Sequence, residues 1–174
     1  TPDGRRVVPS AAATILALGG ASWPRLGSDG GWVSLLEAEG IEVSPLRPSN
    51  VALRVGWSDV FRTRFSGAPL KRIAVTCGGE TRRGEAVVTE TGIEGGAVYA
   101  LSGPVRSALD RAGEAILAVD LRPDLSEVAL AAALAKPRRK QSVSTWLRKA
   151  AGLSPVATGL LREGIRDLPQ EAGS

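Results

Sequence analysis

Two groups of residues in this chain could do chemistry, and both are built around glycine. The first is Gly19-Gly20-Ala21-Ser22-Trp23-Pro24-Arg25-Leu26-Gly27-Ser28-Asp29-Gly30. Such a loop ahead of a helix can offer free backbone amides to an anion or to the polar edge of a phosphate-bearing cofactor. Glycine permits that approach because it has no Cβ to stand in the way. The second group is Thr89-Glu90-Thr91-Gly92-Ile93-Glu94. The carboxylates of Glu90 and Glu94 could orient an amine or accept a proton if burial tuned their acidity. Plain turn geometry accounts equally well for Gly27 and Gly30, and ordinary loop charge for the two glutamates. The chain has no histidine and one cysteine, Cys77. That excludes an internal disulfide, a histidine-based nucleophilic triad and a zinc or iron site of the usual donors. Cys77 reads as core or sheet filling and Tyr99, the single tyrosine, as packing.

The elements that must position these groups follow from pattern. Ala12 to Leu18 is a short apolar run ending at a glycine pair, which favours a buried strand. Pro24 holds Trp23 extended. Asp29 is placed to cap a helix over 30–39, with Gly40 as its left-handed terminator. Strands are expected over 51–55, 71–77, 85–89 and 115–120, forming a small mixed or antiparallel sheet or a barrel. Helices are expected over 96–101 and 104–112, with Pro104 kinking or restarting the second. From Asp124 the chain turns helical. Asp124 with Glu127 makes a capping box for 125–135, which Pro137 stops. Ser142 opens the next helix, and Ser154-Pro155 opens a third.

The 174 residues, 43% of them hydrophobic, suffice for one medium domain or for a small domain plus part of another. The absence of methionine and the turn-like opening Thr1-Pro2-Asp3-Gly4 suggest a segment of a longer protein. No apolar run approaches the length of a signal peptide core or a membrane span, which favours a cytoplasmic setting. The formal charge is +4. Lys136, Arg138, Arg139, Lys140, Arg148 and Lys149 form a basic cluster with a single aromatic, Trp146, among them. A solvated loop between helices explains that cluster better than a nucleic-acid or lipid patch.

The string ALGGASWPRLGSDGG resembles an internal motif of a bacterial flavoprotein family, the BaiN/YhiN-like and aminoacetone-oxidase-like NAD(P)/FAD-dependent oxidoreductases. Ser44-Pro45-Leu46-Arg47-Pro48-Ser49-Asn50-Val51-Ala52-Leu53 resembles that family's crossover from its flavin domain into an inserted domain. Gly84 to Val98 resembles a third motif, with Glu90 and Glu94 standing where many relatives carry His and Ser. Leu18 and Ile41 likewise replace a usual Thr and His. The three matches occur in family order. The resemblance implies a mixed α+β chain. Residues 1–47 would be part of an α/β FAD-binding domain, 48–166 an inserted small β-barrel with a three-helix cap, and 167–174 a linker. It implies FAD contacts from Gly19, Gly20, Ala21, Ser22, Trp23, Pro24, Gly27, Ser28 and Gly30, with NAD(P)H as a possible electron donor. Thr89, Gly92 and Ile93 would lie on the substrate side, with Glu90 and Glu94 as catalytic candidates. The implied partners are a small-molecule substrate and the remaining parts of the same flavoprotein. Two other readings stand beside it. One is a noncatalytic module that grips nucleic acid or protein through the basic helical cap, and the other is an insert with a purely structural role.

Overall fold

The computed structural model describes residues 11–138 and 140–166. The expected turn at Thr1–Gly4, Arg139 of the basic cluster and the expected linker over 167–174 lie outside the described residues. The chain divides into two compact units, Thr1–Pro48 and Ser49–Ser174.

In the first unit, Ala12 to Leu18 is not a buried strand. The segment is irregular and exposed, with Ile15 at 91% of its free accessibility. Apolar content favours burial only where another layer is present to receive it, and among the described residues no strand pairs with this run. The helix after the glycine loop is α1 (Trp32–Ala38). Asp29 does not cap it directly. Its Oδ1 accepts from the Gly31 amide at 2.9 Å, bracing the approach to the first turn, and Gly31 itself is the capping residue. At the other end Gly40 donates to the Glu37 carbonyl at 3.0 Å and Ile41 to that of Leu36 at 3.0 Å. This is the paired closure that a left-handed glycine permits, as the sequence predicts for Gly40.

The second unit opens with β1 (Leu53–Arg54), shorter than expected, and then a helix that the pattern did not announce, α2 (Asp59–Phe65). Ser58 Oγ accepts from the Phe61 amide at 3.2 Å and so caps it. Trp57, Phe61 and Phe65 stack along its inner side, with ring centroids 4.8 and 5.1 Å apart. Strands β2 (Pro69–Cys77) and β3 (Glu80–Val88) follow as a hairpin. The two-residue turn Gly78-Gly79 has φ of 58° and 82°, the positive values that match a hairpin's right-handed twist. Next come β4 (Gly92–Glu94), α3 (Gly96–Tyr99), α4 (Ser102–Ala112) and β5 (Ala118–Asp120). Pro104 sits in the first turn of α4, where its missing N–H costs nothing, so the chain restarts rather than kinks there. Helices α5 (Glu127–Leu134), α6 (Val143–Ala151) and α7 (Pro155–Arg166) complete the described chain.

The sheet order is β1-β4-β3-β2-β5 and every pairing is antiparallel, which makes the unit α+β. Val55 and Trp57, just past β1, line one groove together with Val119 of β5 and Leu160 and Leu161 of α7. The sheet therefore curls until both outer strands approach the same helix. Leu70, Ile73, Val75, Val88 and Leu101 are the largest fully buried side chains. Each contributes roughly 1.5–3 kcal/mol by leaving water. Leu70 and Ile73 both face inward although they are three apart, because a bulge lies between them, with Arg72 at φ 53°. Cys77 is buried and unbridged, in the filling role its alternating strand predicts.

The helix starts are held by serines. Ser142 Oγ accepts from Thr145 N and Ser154 Oγ from Ala157 N, each at 3.2 Å, as expected. The α5 cap is Ser126, whose Oγ accepts from Ala129 N at 3.2 Å, not the expected Asp124. Asp124 is spent instead on an ion pair with Arg83 at 2.8 Å. The carboxylate of Glu163 in α7 reaches back to α2, accepting from Ser58 N and Ser58 Oγ at 2.8 Å each. No helix among the described residues is long and apolar enough to cross a membrane.

Candidate functional site

The glycine loop is a closed, exposed turn. Trp23 and Ser28 exchange backbone hydrogen bonds of 3.0 and 3.1 Å, and a short helical turn over Pro24–Leu26 fills the space between them. Gly30 then donates to the Gly20 carbonyl at 3.1 Å, and the indole of Trp32 donates to the Gly19 carbonyl at 3.2 Å. Trp32 thus pins the loop to α1. A buried or half-buried indole needs an acceptor, and that requirement is the signal for it. Gly30 has φ 73°, and a Cβ there would stand 3.0 Å from that of Ala21, so this corner admits only glycine.

Three consecutive amides, those of Gly20, Ala21 and Ser22, make no hydrogen bond among the described residues. The hydroxyls of Ser22 and Ser28 are also unused there. A Cβ built on Gly20 meets nothing nearer than Ser28 Oγ at 3.8 Å, so its outer side is open. These donors are accessible, since every residue from Gly19 to Gly27 is exposed. Donors without partners and an unobstructed main-chain edge suit a planar, polar-edged cofactor.

The second group sits on the turn from β3 into β4. Thr89 N donates to the Gly92 carbonyl at 2.8 Å, closing the turn that presents Glu90. Gly92 is buried beneath β1, and a Cβ there would collide with the Leu53 carbonyl. Its own carbonyl accepts from the Trp57 indole at 3.0 Å. Close packing of two strands is therefore the structural reason for glycine at this position. Ile93 is 3% exposed and faces the groove beside α7. Glu90 is exposed and Glu94 half-buried, and neither carboxylate has a hydrogen bond or ion pair among the described residues. Thr89 Oγ1, on a residue the sequence resemblance assigns to the substrate side, is buried without a hydrogen-bond partner among the described residues. Of the basic cluster, Lys136, Arg138 and Lys140 are exposed between α5 and α6, while Arg148 and Lys149 belong to α6.

A family model described as the HI0933-like protein barrel and H2TH domain matches residues 47–172, well over half of the chain. The chain belongs to the HI0933-like family. That family comprises the BaiN/YhiN-like flavoproteins whose motifs the sequence resembles. The HI0933-like match begins within the crossover Ser44–Leu53 and takes in the curled sheet and helices α5 to α7. No curated protein matches the chain.

Proposed function

We propose that this chain contributes one wall of a FAD site and a substrate-covering unit to a FAD-dependent, NAD(P)-linked oxidoreductase. The observation that carries the reading is the exposed loop with three amides that have no partner among the described residues. In this reading the amides of Gly20, Ala21 and Ser22 donate to polar atoms of the flavin, and Trp23 and Pro24 form the adjoining wall. Gly19, Ser28 and Gly30 hold the loop in shape through the hydrogen bonds described above, and Gly27 donates to the Pro24 carbonyl at 3.1 Å. When bound, FAD supplies the redox chemistry by taking up a hydride from reduced nicotinamide or substrate. The protein supplies placement, exclusion of water and a proton path.

Thr89, Gly92 and Ile93 set the shape of the hairpin that faces substrate. The unpaired carboxylates of Glu90 and Glu94 are the groups able to orient an amine or to take a proton on Oε. The substrate is accordingly a small molecule, and the setting is cytoplasmic.

The test is the absorption spectrum of the whole protein that contains this chain. Flavin bands are expected as purified or after adding FAD. A colourless protein that takes up no FAD refutes the reading. Gly20→Ala sharpens the test, because the chain itself has room for the methyl group. It should leave the melting temperature unchanged and weaken FAD binding at least tenfold. A structural insert, by contrast, predicts that Glu90→Gln and Glu94→Gln leave turnover unaltered.

A further inference from the structure

A cleft between α2, α6 and α7 gathers cations that nothing in the described chain neutralises. Arg64 of α2, Arg148 of α6 and Arg162 of α7 all line it, together with the hydroxyl-bearing Ser144. Its floor includes Phe65, and the Arg64 guanidinium lies over that ring, 5.4 Å from its centroid. The face of an aromatic ring attracts a guanidinium and narrows the positions it samples. Several other arginines of this unit are engaged. Arg62, Arg82 and Arg83 each hold a carboxylate, and Arg122 donates to the Ala151 carbonyl. Arg64, Arg148 and Arg162 have no hydrogen bond or ion pair among the described residues.

The one carboxylate on the cleft wall is Glu163, and both of its oxygens are engaged by Ser58. It offsets part of the positive potential and leaves the three guanidiniums free. Like charges that line one cleft without a paired counter-charge repel one another, and an anion relieves that cost. The cleft has a volume of about 140 Å³. Void space of that order accommodates a group about the size of a benzene ring. It is large enough for one tetrahedral phosphate, and the open side of the cleft leaves room for a second joined to it.

We propose that this cleft binds the phosphate or diphosphate group of a soluble small molecule, held by the forks of Arg64, Arg148 and Arg162 with Ser144 Oγ as a further donor. Planar guanidinium forks pair bidentately with phosphate oxygens, which is why arginine rather than lysine suits the position. The site lies wholly within the second unit and does not depend on the flavin reading.

Calorimetric titration of the full chain with inorganic phosphate and with pyrophosphate tests it. Both should bind, pyrophosphate more tightly. Arg148→Gln and Arg162→Gln should each weaken pyrophosphate about tenfold, the loss of one charge-assisted pair. Arg111→Gln, a charge-matched change on α4, should leave the affinity as it is. The arginines are exposed, so the variants should melt with the parent chain. Should a variant fail to fold, amide shifts on adding pyrophosphate to the unaltered chain supply the readout, expected at Ser144, Phe65 and Gly159. Absence of binding, equal affinity in Arg148→Gln, or shifts elsewhere on the surface overturns the proposal. So does a single-stranded oligonucleotide that binds with steep salt dependence where pyrophosphate does not, since that marks a polymer-reading surface.

Discussion

Helix α7 carries two glycines, and the structure gives the same substitution opposite signs at the two positions. Gly159 faces α2, where a Cβ would lie 2.5 Å from Phe65 Cε2 and 3.1 Å from Phe61 Cε2. Gly164 is exposed, with nothing within 4 Å of the same atom. Replacing glycine by alanine inside a helix gains about 1 kcal/mol from backbone entropy alone. Gly164→Ala should realise most of that gain. At Gly159 the methyl group meets two rings, one of them only 2% exposed, and overpacking of this kind costs about 1–3 kcal/mol. Phe65 is half-buried and can yield somewhat, so the middle of that range, about 2 kcal/mol, applies and the net loss after the helix gain is about 1 kcal/mol. The two variants should therefore differ by about 2 kcal/mol, which in a chain of this size is roughly 4–8 °C in melting temperature. Urea denaturation of both proteins, with slopes compared to establish that the unfolded states match, measures the difference. If Gly159→Ala is as stabilising as Gly164→Ala, the aromatic packing of α2 against α7 is not as described.

Four further substitutions test the same geometry. Gly92→Ala should abolish cooperative unfolding, seen by circular dichroism, because its Cβ and the Leu53 carbonyl cannot both be accommodated while β1 pairs with β4. Ser126→Ala should cost about 1 kcal/mol as the loss of a helix cap. Asp124→Ala should cost less than about 1 kcal/mol, because its exposed pair with Arg83 is solvent-screened, and equal losses in urea melts would return the capping role to Asp124. Glu163→Ala should destabilise the chain by about 1–3 kcal/mol, since a part-buried amide and hydroxyl of Ser58 lose their acceptor. In a double-mutant cycle with Ser58→Ala that loss should be strongly non-additive.

What could be read in advance was local. The alternation Ile73, Val75, Cys77 and the serines at 142 and 154 announce their strand and helix starts because each signal lies within a few residues of its effect. The bulge at Arg72 was not legible, since it depends on which partner residue faces the extra one. Helix α2 is only two turns long and rich in β-branched and aromatic residues, so its own preferences are weak and its packing against α7 decides it. Strand β4 is three residues that exist because β1 and β3 lie on either side. The Ala12–Leu18 run shows the converse, an apolar pattern with no neighbouring strand among the described residues. At the glycine loop, the turn and its positive-φ corners were legible. The anchoring indole of Trp32 was not, because its partner lies 13 residues away.

The carboxylate that α7 extends to Ser58 spans 105 residues of sequence. Helix α2 is short, and the serine that caps it is itself held by a helix made near the end of the described chain, so α2 is poorly supported during synthesis until that helix has emerged. Its amide protons should then exchange in step with those of α7 rather than with the β2–β3 hairpin that follows it directly, which makes the two helices one cooperative unit despite their separation in the chain.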